Sequence, residues 1–207
     1  GLAASTPGDL LPQKTMATTF LLKRIGQSTT YPGATNTLTV SLVSTANLAG
    51  HDSSSLVITF ASQGLSMTPA LTDVPLQEGV VQATYANDTV SISGSLLDQV
   101  PSFVGYLFVV DNDGDEATSD DISSRNVTSH SASGLITLSS AVSGMTARVS
   151  TYKILAGSTT CLDSTNVAWD SGAGTLTIPV KAAQTWIAGR LYVFSIVFQN
   201  PLSRRSQ

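Results

Sequence analysis

The densest concentration of reactive groups is Asp111-Asn112-Asp113-Gly114-Asp115-Glu116 with Asp120-Asp121 close behind, six of the fourteen acidic residues within eleven positions. Carboxylates at alternate positions of a tight loop suit Ca²⁺, which takes about six to eight oxygens at about 2.3–2.6 Å, and a glycine lets such a loop turn sharply. Asp111, Asp113, Asp115 and Asp120 are therefore the candidate ligands of a calcium site. The position of the glycine differs from that in an EF-hand, so the run also reads as a solvated acidic turn. No other cofactor is indicated.

His51 and His130 are the only histidines. His51-Asp52-Ser53 carries the residue types of a hydrolase triad, but triads are assembled in space and not by adjacency, and no Gly-x-Ser-x-Gly elbow accompanies it. It reads as a polar loop between strands, and the chain as a whole is not expected to be an enzyme. Trp186 and Tyr31 are the aromatics placed to stack on a sugar ring, Trp186 because its surroundings are loop-like; the alternative for the aromatics is packing inside a β-structure. Cys161 is the single cysteine, so no intrachain disulfide exists; it reads as a small buried hydrophobe or as a thiol for another chain.

Charge narrows the partners. The net charge is −4, and the ten basic residues are scattered, leaving no basic face for phosphate and hence no expected nucleic-acid partner. No apolar run reaches the roughly 18 to 20 residues of a membrane-spanning helix. The sequons Asn87-Asp88-Thr89 and Asn126-Val127-Thr128 make Asn87 and Asn126 candidate glycosylation sites on surface loops of a secreted protein. Gly1-Leu2-Ala3-Ala4-Ser5 is neither a charged leader nor an initiator methionine start, which suggests a processed or excised piece of something longer.

The elements that must position these groups are strands. Ser and Thr make up about a quarter of the chain and only 12% is charged, a bias toward strands and polar turns. Leu38, Val40 and Leu42 alternate with hydroxyl residues, as do Leu176, Ile178 and Val180, and Leu56, Ile58 and Phe60; each set predicts a strand with one buried face. Phe103–Val110 and Leu191–Phe198 are apolar on both faces and predict covered, central strands. Ser95–Val100, stopped by Pro101, is the best short helix. With shorter segments near residues 20–24, 81–85, 90–93, 135–138 and 147–155, about nine or ten strands predict an all-β fold, an antiparallel two-sheet β-sandwich that is Ig-like or jelly-roll-like. Residues 1–207 form one domain in this reading, with 111–134 an acidic, Ser-rich loop or insertion.

Tyr31-Pro32-Gly33-Ala34-Thr35-Asn36-Thr37-Leu38-Thr39-Val40-Ser41-Leu42, with Asn47-Leu48-Ala49-Gly50 and Ser55–Phe60, resembles a β-sandwich repeat module of very large surface and secreted proteins of algae and other protists. The closing part is similar too: Trp169, then Gly174-Thr175-Leu176-Thr177, Gln184-Thr185, Ala188-Gly189, Phe194-Ser195 and Asn200-Pro201. Together these cover roughly half the chain, and residues 65–150 look inserted. The resemblance implies an extracellular, glycosylated structural module of a cell wall, hair-like filament or adhesin, in contact with other copies or neighbouring domains, and brings no active site. A carbohydrate-binding domain, assisted by Ca²⁺ and recognising glycans, is the alternative. A jelly-roll capsid protein is a third reading, disfavoured for direct genome packaging by the missing basic arm.

Overall fold

In the computed structural model, residues 20–60, 65–85, 88–92, 103–113, 122–131 and 133–202 are described. They form fifteen strands: β1 Phe20–Gln27, β2 Thr35–Ser44, β3 Leu48–Ala49, β4 Ser55–Thr59, β5 Ser66–Asp73, β6 Pro75–Tyr85, β7 Thr89–Ile92, β8 Leu107–Asp111, β9 Ile122–His130, β10 Leu135–Leu138, β11 Thr151–Leu155, β12 Ala168–Asp170, β13 Thr175–Pro179, β14 Thr185–Trp186 and β15 Leu191–Gln199. A 3₁₀ turn, Gly50–Asp52, and a one-turn helix α1, Ser158–Cys161, complete the set. The all-β antiparallel class holds, but the strands fall into four groups and not two. They are a main sheet β1-β2-β15-β5, a three-stranded sheet β12-β13-β4, a small pair β14-β3, and a closed barrel β10-β7-β6-β11-β8-β9.

The main sheet follows from alternation. On β2 the even residues Asn36, Leu38, Val40, Leu42 and Ser44 are buried and the odd ones are not. Phe198, Ile196, Phe194 and Tyr192 of β15 lie opposite Asn36, Leu38, Val40 and Leu42 in register, so one face of the pair is continuously apolar apart from Asn36. The expectation for Leu191–Phe198 is met because β15 sits between β2 and β5. Leu191 and Val193 on its second face are also covered, whereas Val197 stays 43% exposed. Leu56 and Ile58 of β4 pair with Ile178 and Leu176 of β13 on a buried face. Phe60 meets Trp169 of β12 at 5.5 Å and Phe198 of β15 at 6.0 Å, both edge-on, linking the two sheets.

The barrel is the contiguous stretch 75–155, inserted between β5 and α1. Its buried residues include Val81, Val90, Phe108, Val110, Val127, Ile136, Tyr152 and Ile154, with Phe108 stacked on Tyr152 at 5.4 Å, as a six-stranded barrel filled by its own side chains requires. Section 111–134, expected as a loop or insertion, carries β9. That strand is mostly hydroxyl and amide residues because it is exposed along most of its length and buries only Val127, so it lacks an alternating apolar signature. Phe103–Val110 begins as a turn and becomes strand only from Leu107. The short helix expected at Ser95–Val100 lies outside the described residues.

Candidate functional site

Where the barrel meets the main sheet, a crevice of about 440 Å³ opens, lined by Leu107 and Asn126 of the barrel and by Thr160, Cys161, Gln184 and Arg190 of the remainder. Gly189, at φ +74°, turns the chain into β15 and sets Arg190 at the crevice wall. Its guanidinium carbon lies 4.4 Å from the centre of the Tyr106 ring, on the barrel, and 5.4 Å from that of Tyr192, on β15. A cation between two electron-rich ring faces is attracted to both. Arg190 Nη2 donates to the Ala156 carbonyl at 2.9 Å, while Nε is buried without a hydrogen-bond partner.

The tyrosines are held in turn by backbone. The Leu191 amide donates to the Tyr106 hydroxyl at 3.1 Å, and burial, opposed by that amide and by the Arg190 charge, raises the Tyr106 phenol above its usual range. The Ile187 amide donates to the Tyr192 hydroxyl at 3.0 Å, and burial foremost pushes that phenol up to about 12. The Cys161 thiol donates to the Thr185 carbonyl, with Sγ 3.7 Å from that oxygen. Burial foremost raises the Cys161 thiol above its usual range, opposed by Tyr192 and by the Arg190 charge, so it stays protonated near neutrality and is a slow nucleophile. The crevice offers a fixed cation and neutral hydrogen-bonding groups.

Trp186, expected as an exposed sugar platform, is 1% exposed and stacked on Tyr192 at 3.8 Å, with both rings part of the core. The correction has a simple cause: Trp186 pairs in β14 with Leu48 of β3, and this small ladder lays the indole against β15. Tyr31 does stand clear, 72% exposed in the turn between β1 and β2. Asp111 and Asp113 lie at the end of β8, Asp111 buried and Asp113 exposed, while Asp115 and Asp120 lie outside the described residues. Among the described residues no three His, Cys, Asp or Glu side chains come together in a metal-holding group. Asn87 is outside the described residues, and Asn126 is exposed on strand β9 and not on a loop.

His51 Nε2 lies 3.2 Å from Asp52 Oδ1 in the 3₁₀ turn, both side chains largely in solvent, and Ser53 beside them takes a left-handed backbone conformation that closes the turn. Gly50 has a steric reason instead: a Cβ there would sit 1.8 Å from the Lys181 carbonyl oxygen. Arg190 was missed by reading the sequence, because a single arginine carries no spacing signal. Its only trace is a rare cation placed immediately before a strand apolar on both faces. Comparison with protein families, with curated proteins and with solved structures finds no match to this chain.

Proposed function

We propose that this chain is an extracellular structural module of a cell-surface or filament glycoprotein, set in series with copies of itself or with neighbouring domains and acting through protein–protein contacts. The observation that carries the reading is the direction of the chain through the main sheet. Phe20 of β1 pairs with Ser44, and Leu191 of β15 with Val43, at one end of β2; Gln199 pairs with Thr35 at the other. β1 and β15 thus run in the same direction, and the described chain enters at one end of the sheet and leaves at the opposite end. Modules of this kind concatenate into an extended array without doubling back.

Two further features favour the reading. Among the described residues β1 is a sheet edge paired with β2 alone, and Leu21 is 72% and Ile25 53% exposed, so two apolar side chains face outward along that edge. The sheets β1-β2-β15-β5 and β12-β13-β4, bridged by Phe60, read together as a β-sandwich carrying the barrel as an insertion. The test is antibody labelling of intact source cells, followed by scattering from two chains fused end to end. Surface labelling and a maximum dimension near twice that of one chain are expected. Labelling only after permeabilisation, or a compact fusion, would overturn the proposal.

The exposed ring of Tyr31 favours carbohydrate binding as a second reading. Retention on a glycan array by the wild type, lost in Tyr31→Ala, is its expected signature; an array with no retained glycan, with or without chelator, rules it out.

A further inference from the structure

We propose that the seam crevice is a binding site for a small organic oxyanion, a carboxylate or a sulfate ester, received by Arg190. The argument starts from an unbalanced charge. Arg190 is half-buried, makes no ion pair among the described residues, and spends its hydrogen bonding on one neutral carbonyl, that of Ala156. The nearby Asp73 carboxylate is already occupied by the amides of Ser158 and Thr159 and by the Thr159 hydroxyl. A cation held partly out of water without a counter-charge is costly, and an anion arriving beside it recovers that cost. The arginine is also preorganised: two aromatic rings and the Ala156 bond hold the guanidinium plane, so little side-chain freedom remains to be lost on binding.

The guanidinium offers a usable donor. Nη1, which makes no hydrogen bond among the described residues, lies on the Gly105 side, 3.8 Å from where a Cβ of that residue would stand. Absence of a side chain at Gly105 keeps that approach open. A volume of about 440 Å³ falls within the range of small-molecule sites and exceeds the needs of a bare inorganic ion. Around it Asn126, Thr160 and Gln184 supply amide and hydroxyl groups, and none of the lining side chains is acidic. The ligand is therefore an oxyanion carried on a compact polar molecule.

The experiment titrates sodium acetate and, separately, sodium methyl sulfate into the ¹⁵N-labelled chain, with sodium chloride replaced to hold ionic strength constant. Amide and side-chain shifts of Thr160, Cys161 and Arg190 are followed together with Trp186 fluorescence, since Trp186 stacks on Tyr192 behind the site. Saturable shifts at these positions are expected with at least one anion, and the better of the two identifies carboxylate or sulfate ester. Gln184→Glu places a carboxylate at the wall while leaving Arg190 and its stacking intact, and is expected to weaken binding at least tenfold. Arg190→Gln is expected to abolish it. Linear, unsaturated shifts with both anions, or saturable binding unchanged in the folded Gln184→Glu chain, would overturn the proposal without touching the series arrangement of modules.

Discussion

Asn36 is the buried polar residue on which the end of the main sheet turns. Its Oδ1 accepts from the Ser28 amide at 3.1 Å, the Ser28 hydroxyl at 3.1 Å and the Thr29 amide at 3.2 Å, and its Nδ2 donates to Gln27 Oε1 at 3.3 Å and Asn200 Oδ1 at 3.0 Å. Asn200 Nδ2 in turn donates to the Tyr31 carbonyl at 2.9 Å. Asn36→Ala strands these groups out of water, and a loss of about 2–3 kcal/mol in urea unfolding is expected; a change below about 0.5 kcal/mol would show that the network is replaceable by solvent. His130 makes the second prediction at this scale. Burial holds its pKa below the ordinary value, with its ring 5.1 Å from that of Phe103. The unfolded chain then takes up this proton at a higher pH than the folded one, so the contribution is complete above about pH 6.5 and is lost as pH falls through that value toward the folded pKa. Melting temperature is expected to drop between pH 7 and 5 more in the wild type than in His130→Phe; equal drops would remove His130 from the account. Asp163, held down to about 2 chiefly by the Thr165 and Asn166 side chains, acts only at lower pH and does not confuse the window. Among single residues, the sequence made Asn200-Pro201 legible as a stop, yet hid its partner Asn36 inside an ordinary polar–apolar alternation.

Strands β2, β4 and β13 were readable because each buries every second residue, and burial of one face is what period-two alternation encodes, whereas β15 was readable as a run apolar on both faces. The barrel strands were readable only as short separate pieces, near 81–85, 90–93, 103–110, 135–138 and 147–155, with the full length of β6 and the whole of β9 hidden. β6 changes sides along its length and its pairing with β7 shifts register between Val81 and Ala83, so no single alternation spans it. β9 carries one fully buried residue, and a strand so exposed looks like a loop. Barrel closure depends on which strand pairs with which, and side-chain pattern is silent on partners. β15 is the element on which most else rests, since Phe194 is fully buried opposite Val40 in the middle of the sheet. Phe194→Ala is expected to cost about 3–5 kcal/mol by guanidinium unfolding, whereas Val197→Ala, on a partly exposed position of the same strand, is expected to cost less than about 1 kcal/mol. Similar losses at both positions would mean that the outer face of β15 is covered in solution.

At the scale of the whole molecule, the barrel and the sheets share a seam stitched by the Tyr106–Leu191 and Arg190–Ala156 bonds. Both tryptophans, Trp169 and Trp186, lie outside the barrel, so fluorescence reports the sheets while circular dichroism reports all strands. The two probes are expected to unfold together in the wild type and to separate in Tyr106→Ala; coincident curves in that variant would show that the seam does not depend on this residue. The same layout has a mechanical consequence. Tension applied between the start of β1 and the end of β15 draws these two strands apart along β2, loading seven residue pairs on one side and nine on the other in shear, all at once and not one after another. The barrel carries none of that load, because its two ends meet where Asp73 holds Ser158 at 2.7 Å. Its 81 residues, counted from Pro75 through Leu155, are slack: about 280 Å of contour at full extension, released only after the Asp73–Ser158 tie gives way, so the molecule resists first and lengthens afterwards.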